Sequence, residues 1–262
     1  MRNWIERGLL LLALPGIIGC AKVDETVFLS VQMENNWDDH EKNPAKYADT
    51  GLQLFINGNF CQFLRFGSSA GAVDKFLMPG RNTLEVRGST ALPVEITICS
   101  FAGDHSPIRT ILSQKWPKIS TGGTYQVSFR VKKDSLLPIF DKKNVMPDRL
   151  RAEQEITAVV SNLYNDCITS NKEGFLSTTL EGYKIHSPVD YVSLWMSCGP
   201  MFDSFKMKPF PENLYFIHGS NLVFVYSGFS DFSMVLFPGG TKESGFMSGA
   251  HFAYIGNHWV MW

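Results

Sequence analysis

Gly67-Ser68-Ser69-Ala70-Gly71 is a stretch whose residue types and spacing match a catalytic pattern, G-x-S-x-G. In that pattern the central serine, here Ser69, is a nucleophile held on a sharp turn between a strand and a helix. The helix N-terminus and nearby backbone N–H groups then stabilise an oxyanion. Only residues 72–78 separate this stretch from Pro79-Gly80, which leaves no room for a long helix. The sequence therefore predicts a flexible loop without a catalytic serine.

Asp38, Asp39, His40 and Glu41 form another cluster with chemical potential, because carboxylate oxygens and imidazole nitrogens are metal ligands. They lie within residues 34–50, which are polar and rich in Asn, a composition typical of a surface loop. Nothing in their spacing fixes a coordination geometry. We predict a solvated loop with no metal site, and we expect no cofactor.

Cys20 is the residue for which the sequence indicates a specific modification. A short charged segment, residues 1–7, and an apolar run, residues 8–18, precede it, as in a secretory signal. The run is too short to span a bilayer, which takes about 20 apolar residues. The segment Ile17-Ile18-Gly19-Cys20 resembles the lipobox of bacterial lipoproteins. An ordinary signal peptide whose Cys follows Gly19 by chance is the alternative.

The lipobox resemblance implies a location for the protein. Residues 1–19 would be removed as a signal peptide, Cys20 would carry fatty acyl chains such as palmitate, and residues 20–22 would form the lipid anchor. An Asp directly after the lipidated Cys would resemble the signal that retains lipoproteins in the inner membrane. This chain has Ala21 at that position, so we expect the protein on the periplasmic face of the outer membrane. The part of the chain that follows would lie close to the membrane.

Four cysteines remain once Cys20 is assigned to lipid, and two lie in each half of the chain. An oxidising periplasm permits disulfides. We predict the pairs Cys61–Cys99 and Cys167–Cys198, with buried free thiols as the alternative. The sequence has no CxxC or Cys/His spacing typical of a zinc or redox site.

Length and charge limit the class of protein. Without residues 1–19 the chain has 243 residues, of which 22 are basic and 24 acidic, and this length predicts two domains. The charges form no long run of either sign. This argues against nucleic acid as a partner, because phosphate binding requires a basic patch. The expected partners are the membrane, through the lipid, and a small apolar ligand or a protein.

Residues 23–132 have the pattern of an antiparallel β-sandwich, with short strands about every ten residues and no helical period between them. Asn57-Gly58 predicts a type I′ hairpin, because this dipeptide tolerates two successive positive φ angles. The hairpin and the Pro79–Val86 run resemble those of jelly-roll and immunoglobulin-like accessory modules beside bacterial enzymes. Strands are expected at residues 23–33, 52–64 around the hairpin, 83–87, 94–99 and 124–131.

A polar, proline-marked linker at residues 133–147 leads to a second domain at residues 148–262. Asp148 predicts the start of a helix, because its side chain can accept from the first free N–H groups. Apolar residues at three- and four-residue steps from Ile156 to Ile168 predict that this helix is long. Further helices are expected after Asn171 and from Ser187. Strands are expected at residues 214–217, 222–226, 232–237, 250–255 and 258–262.

Helices followed by an antiparallel meander indicate an α+β fold. Residues 155–167 with Asn171–Leu176, and the closing hairpin Phe252–Trp259, resemble the nuclear-transport-factor-2-like (NTF2-like) superfamily, also called cystatin-like or SnoaL-like. The resemblance implies a curved sheet wrapped around the long helix and a conical apolar pocket. The expected fold class is therefore mixed: an N-terminal antiparallel β-sandwich followed by an α+β NTF2-like cone, with helices packed on a curved antiparallel sheet.

The resemblance also implies which residues line the pocket. His251 is a candidate base, with Asp166 as another, for an enzyme that acts on a small apolar molecule. The alternatives are core packing for the aromatic residues, solvent for Asp166 and a satisfied, partly buried histidine. The candidate pocket residues are Tyr164, Trp195, Tyr215, His251 and Trp259.

No motif brings a nucleophile, a base and an orienting group together. We therefore expect a lipid-anchored periplasmic binding or interaction protein rather than an enzyme. One alternative is the NTF2-like enzyme described above. The other is an immunity- or inhibitor-type lipoprotein that blocks a partner protein through residues 38–44 or 228–249.

Overall fold

The first half of the chain forms two antiparallel sheets that face each other. The computed structural model describes residues 25–33, 42, 50–65, 67–102, 107–133, 136–186, 209–230, 233–238 and 245–262. The strands of the first half are β1 (Thr26–Met33), β2 (Gly51–Ile56), β3 (Asn59–Leu64), β4 (Ser68–Ala72), β5 (Gly80–Thr90), β6 (Val94–Phe101), β7 (Pro107–Trp116) and β8 (Ile119–Val131). The first sheet has the order β4-β1-β6-β7, and the second has the order β3-β2-β5-β8.

Alternation of apolar and polar residues explains how the two sheets pack. Along β6 every second side chain is buried, and the same period holds in β1. Because successive side chains of a strand point to opposite faces, each sheet presents an aliphatic inner face. Leu29 and Ile96 of the first sheet and Leu54 and Leu84 of the second are fully buried in one shared core.

The predicted Asn57-Gly58 hairpin is confirmed. Both residues have positive φ, 52° at Asn57 and 76° at Gly58, as a type I′ turn requires. The turn joins β2 to β3, in which Ile56 pairs with Asn59. The side-chain amide of Asn57 donates to the carbonyl of Phe76 at 2.9 Å and ties the hairpin to the turn before β5.

The loop predicted around Ser69 is wrong. Residues 68–72 form edge strand β4, in which Ser69 pairs with Val31 of β1. Small residues have low strand propensity, but pairing with a neighbouring strand overrides it. The 3-10 turn Asp74–Phe76 follows β4, so Ser69 does not lie on a strand-to-helix turn. Strand β7 was also not anticipated, because its residues are largely exposed and give little apolar signal.

The second half contains helices α1 (Arg149–Ile168) and α2 (Lys172–His186) and seven strands in the described residues. The strands are β9 (Tyr215–His218), β10 (Leu222–Tyr226), β11 (Gly228–Ser230), β12 (Ser233–Pro238), β13 (Gly245–Ser248), β14 (Ala250–Ile255) and β15 (His258–Met261). One sheet has the order β15-β14-β10-β9, and a separate one has the order β11-β12-β13. The segment 228–249 is therefore largely strand in its described residues.

Helix α1 begins as the sequence predicts. The carboxylate of Asp148 accepts a 3.1 Å hydrogen bond from the backbone N–H of Arg151. The buried stripe of α1 includes Ile156, Val160 and Leu163. The helix predicted from Ser187 lies outside the described residues.

Helix α2 lies against β15 at very short range. A Cβ added to Gly182 would lie 1.8 Å from the carbonyl oxygen of Met261, so only glycine allows this approach. The helix pair thereby covers one face of the sheet that contains β15.

The predicted fold class, which ended in an NTF2-like cone, is wrong. The described chain is mostly β, at 51% strand, with only two α-helices, and no such cone is indicated. Its second-half strands form two separate sheets instead of one curved sheet around a helix. In β10 four successive residues are buried, Leu222 against the sandwich core and Val223 against the helices. The sheet is thus covered on both faces, whereas the NTF2-like resemblance implied a sheet curved around one long helix.

The two halves share buried surface. Leu222, Ala253 and Val260 of the second half belong to the same apolar core as the sandwich strands. Residues predicted as a linker contribute to it, because Ile139 is buried there while Leu136 is exposed.

Candidate functional site

A cluster of polar side chains lies where the two halves meet. We call Cys61, Lys75, His251 and Trp262 the junction cluster. Lys75 belongs to the 3-10 turn Asp74–Phe76, Cys61 to β3 and His251 to β14, and Trp262 directly follows β15. Residues far apart in sequence therefore meet in one site.

Lys75 and His251 face each other directly. Nζ of Lys75 lies 3.4 Å from Nδ1 of His251 and donates a 3.0 Å hydrogen bond to the carbonyl oxygen of Trp262. Nε2 of His251 lies 2.8 Å from the carbonyl oxygen of Phe60, which assigns the ring proton to Nε2. The indole N–H of Trp262 donates in return to the carbonyl of Lys75 at 3.3 Å. Each half thus donates to the other and accepts from it.

Burial sets the protonation of the cluster. It lowers the pKa of His251 well below 6.5, the charge of Lys75 lowers it further, and the hydrogen bond to Phe60 opposes both. Burial also lowers the pKa of Lys75 to about 8 and raises the pKa of the Cys61 thiol. At neutral pH the cluster is a neutral imidazole and a thiol beside one ammonium group.

Aromatic rings enclose the imidazole of His251. The ring of Phe224 lies 4.8 Å from it and the ring of Phe76 lies 5.0 Å from it, centroid to centroid. A lysine with a lowered pKa beside a histidine occurs at active sites, but structural networks perturb pKa values in the same way. Here both ring nitrogens of His251 and the amine of Lys75 contact protein atoms. The arrangement is suited to joining the halves.

Asn59 forms a second polar contact between the halves. Its side chain is fully buried, and its Oδ1 accepts hydrogen bonds from the backbone N–H groups of Asn221 at 2.8 Å and Leu222 at 3.0 Å. The N–H of Ser220 donates to the carbonyl of Gly58 at 3.1 Å. The hairpin of the first half thus caps the turn between β9 and β10.

The candidate pocket residues lie in different surroundings. His251 is in the junction cluster, and Tyr215 is 49% exposed on β9, stacked on Tyr226 at 5.3 Å. Tyr164 and Trp259 share the core between the helices and the sheet, where the indole of Trp259 donates to Glu155 at 2.9 Å. Trp195 lies outside the described residues.

Asp166, the other candidate base, lies at the corner between α1 and α2. Its Oδ1 accepts a 2.7 Å hydrogen bond from the side-chain amide of Asn171. This contact orders the α1–α2 connection and is separate from the contacts of His251.

The predicted Cys61–Cys99 disulfide is not formed, and both residues are free thiols. Cys61 lies on the second sheet and its thiol donates to the carbonyl of Leu54 at 3.2 Å. Cys99 lies on the first sheet and alternation places it on the outer face, where its thiol lies 3.7 Å from Oγ1 of Thr110. The second predicted pair involves Cys198, which, like Cys20, is outside the described residues.

The metal ligands considered at residues 38–41 also fall outside the described residues. Within the part of the chain that the structure does describe, no group of three or more His, Cys, Asp or Glu residues could hold a metal ion.

An open groove lies at the end of the first sheet where Met33 pairs with Val94 and Val94 with Trp116. We call it the Trp116 groove. Its volume is about 580 Å³, and Lys115 and Glu95 form a 2.8 Å ion pair in its wall. Its lining residues are Gln32, Pro93, Val94, Glu95, Lys115, Trp116 and Pro117. This lining offers apolar surface and one charge of each sign, and its one amine, that of Lys115, is paired with Glu95.

A further groove of about 410 Å³ runs along α2 and is lined mainly by polar residues. It includes Glu181, whose carboxylate lies 2.7 Å from Nε2 of His258 on β15. The pair is solvent-exposed, so it contributes little to a binding surface that excludes water.

Sequence reasoning did not identify Lys75 or Asn59 as residues of a site. Lys75 stands between Asp74 and Phe76 in a short irregular stretch, where a lysine is ordinarily solvated. The partial burial of Lys75 depends on a contact with Trp262, 187 positions away. Asn59 directly follows the Asn57-Gly58 turn, so its position in the hairpin could be predicted. Its hydrogen-bond partners in the second half, Asn221 and Leu222, could not.

Comparison with protein-family models, with curated proteins and with solved structures gave no match to this chain. Among the described helices, none is both long and apolar enough to cross a membrane.

Proposed function

We propose that this chain is a lipid-anchored binding protein on the periplasmic face of the outer membrane, without catalytic activity. The observation that carries the proposal is the closure of the junction cluster. Lys75 and His251, which have the chemistry of a nucleophile and a base, direct their nitrogens to protein atoms between the halves. The lipobox-like segment at Ile17–Cys20 supports the anchor.

The Trp116 groove is the surface that we assign to the partner. The groove combines one tryptophan with two prolines and two charged side chains, which is the composition of a protein interface, where an aromatic anchor contributes most of the affinity. Trp116 is held in place by Tyr125, whose ring lies 5.9 Å away at a steep angle. The partner class that fits is therefore a protein segment.

The position of the Trp116 groove agrees with an anchored protein. The groove lies beside Met33, at the opposite end of β1 from the anchor at Cys20. Eight residues of strand separate the two ends, a distance of about 24 Å at the usual rise per residue. The groove would then face away from the membrane toward the periplasm.

Replacement of the anchor residue tests the location. In Cys20→Ala we expect no incorporation of labelled palmitate, and an unprocessed or soluble chain in fractionated cells. The unchanged protein should carry label and sediment with the outer membrane. Acylation of Cys20→Ala, or the unchanged protein in the inner membrane, would contradict the proposed location.

Crosslinking in intact membranes tests the binding surface. The full lipidated chain should capture a stoichiometric protein partner, and Trp116→Ala should lose it. Lys115→Glu changes an exposed side chain of the same groove and should also weaken capture, with little risk to folding. Val145→Ala, at a residue 74% exposed in the other half, is the matched control and should keep the partner. Equal capture by all three variants, or none by the unchanged chain, would refute the proposal.

A further inference from the structure

We propose that a patch at the anchor-proximal end of the first sheet, formed by Phe28, Phe101, Pro107 and Ile108, rests on the phospholipid surface and orients the protein. We call it the proximal patch. The inference rests on the proposed anchor at Cys20 and adds a second contact with the membrane.

Strand register places the proximal patch at one edge of the sandwich. Thr26 pairs with Phe101, and Phe101 pairs with Pro107, so these residues form one row across three strands. Neighbouring strands lie about 4.8 Å apart, and the row is therefore about 10 Å wide. The rings of Phe28 and Phe101 meet edge to face at 5.3 Å.

The outer face of the first sheet changes in character along its length. Away from the anchor its side chains are polar: Ser30 and Gln32 on β1, and Glu95 and Thr97 on β6. Toward the anchor the equivalent positions are Phe28 and Cys99, followed by Phe101.

Large apolar side chains thus gather at one end of a face that is otherwise solvated. Ile108, 46% exposed, directly follows Pro107, the partner of Phe101 on β7, at a point where the strand register is irregular. A clustered apolar surface of this kind marks an interaction site more often than scattered exposed residues do.

The short connection to Cys20 identifies the partner as the membrane. Five residue steps separate Cys20 from Glu25, and a chain of that length spans at most about 18 Å when fully extended. This is less than the length of β1, about 24 Å. The acyl chains would hold Cys20 at the bilayer surface, so the start of β1 is the part of the sandwich kept nearest to lipid.

The charged groups beside the proximal patch are paired with each other. Arg109, next to Ile108, forms a 3.6 Å ion pair with Glu25, so the two charges at the edge of the patch cancel. A neutral surface with partly exposed aromatic rings fits the headgroup region, where amphipathic and aromatic side chains are stable.

The test uses the full lipidated protein in vesicles of phosphatidylethanolamine and phosphatidylglycerol that contain a photoactivatable phospholipid. After illumination, crosslinked peptides are identified by mass spectrometry, and acylation of Cys20 is measured in the same sample. We expect lipid adducts on the peptides that contain Phe28, Phe101 and Ile108, and none on the peptide that contains Trp116.

Variants separate the patch from the anchor. Ile108→Ser changes an exposed residue and should reduce the adducts on β7, and Phe101→Ser should remove those on β6. Val145→Ser is the matched control and should leave the pattern unchanged. Circular dichroism shows whether each variant is folded.

Each outcome has a separate meaning. Acylated protein that sediments with vesicles but gives no adducts at the proximal patch would overturn this inference and leave the proposed function standing. Adducts spread equally over both ends of the sheet would also overturn it. A chain that carries no lipid at Cys20 would overturn the proposed function and, with it, this inference.

Discussion

The interior of the sandwich and the junction between the halves are both buried, but different forces hold them. The interior is made of aliphatic side chains such as Leu54 and Ile96, which have no exposed surface. The junction combines aromatic rings with Asn59, Lys75 and His251 and depends on hydrogen bonds between residues distant in sequence. Apolar burial is non-directional, whereas each junction contact requires one specific partner. Loss of a contact in the interior should therefore weaken the whole sandwich. Loss of a contact in the junction should weaken the attachment of the second half.

The largest effect is expected from the interior. Leu54→Ala should lower the free energy of unfolding by about 3 kcal/mol, because it removes buried methyl groups and leaves a cavity in a close-packed core. Chemical denaturation monitored by circular dichroism measures the change. Val145→Ala, at a 74% exposed position, is the control and should change stability by no more than about 0.5 kcal/mol. Equal midpoints for the two variants would show that the interior does not dominate stability.

The next effect comes from the hairpin contact. Asn59→Ala should cost about 2 kcal/mol, because it removes the acceptor of the buried N–H of Leu222 and of the half-buried N–H of Asn221. Asn82 provides a matched comparison, since it is equally buried but makes its hydrogen bonds within the first half, to Met78, Gly80 and Asn57. Asn82→Ala should have a similar cost in stability.

Hydrogen exchange distinguishes these two asparagine variants. Asn59→Ala should raise exchange at the amides of residues 219–222, because the turn between β9 and β10 is released from the hairpin. Asn82→Ala should leave those amides protected and raise exchange around Met78 instead. The same exchange pattern in both variants would remove the distinction between interior and junction.

This contrast explains what could be predicted from the sequence. Alternation in β1 and β6, and the Asn57-Gly58 turn, are local signals, so the strands and hairpin of the sandwich could be predicted. The cap at Asp148 and the apolar stripe of α1 are local signals too. These signals come from neighbouring residues and do not depend on the rest of the fold.

The errors concern long-range contacts. Lys75 is partly buried through its contact with Trp262, and β4 forms by pairing with β1 although its residues are small. The second-half sheet was expected to wrap a helix, but its other face packs on the sandwich. The run of apolar residues from Leu222 to Val225 was a signal for burial on both faces, which a resemblance to a pocketed fold obscured.

A pH-dependent effect is expected from His251. Its pKa in the folded protein lies well below 6.5, so below pH 6.5 the unfolded chain binds more protons than the folded chain. The free energy of unfolding should therefore fall as the pH falls, with a slope of at most about 1.4 kcal/mol per pH unit. His251→Gln retains an N–H donor for Phe60 but cannot titrate, so its stability should fall less steeply. Denaturation measured across pH tests this expectation. The same decline in the free energy of unfolding below pH 6.5 in the unchanged protein and in His251→Gln would contradict it.

A second pH-dependent effect on stability is expected from Lys75, at high pH. Its pKa is lowered from 10.5 to about 8, so between these values the unfolded chain again binds more protons. The contribution of Lys75 to stability should rise with pH across that window. Lys75→Met, which does not titrate there, should lose this rise and serves as the control for the His251 measurement.

The smallest effect is expected at His258, where the contribution to stability changes with pH in the opposite direction. Its side chain is 52% exposed and lies 2.7 Å from the carboxylate of Glu181, whose hydrogen bond is the main reason that the pKa of His258 is raised above 6.5. In this case the folded protein binds the extra proton, so the stabilisation is complete below pH 6.5 and is lost as the pH rises through the pKa of the folded state. Solvent screening keeps the effect of such a pair small. His258→Gln should therefore slightly lower stability in acid and leave it unchanged at alkaline pH, as measured by denaturation beside His251→Gln. In His251→Gln the free energy of unfolding should fall less steeply as the pH falls. If it did the same in His258→Gln, then exposure and a neighbouring carboxylate would not make the two histidines behave differently.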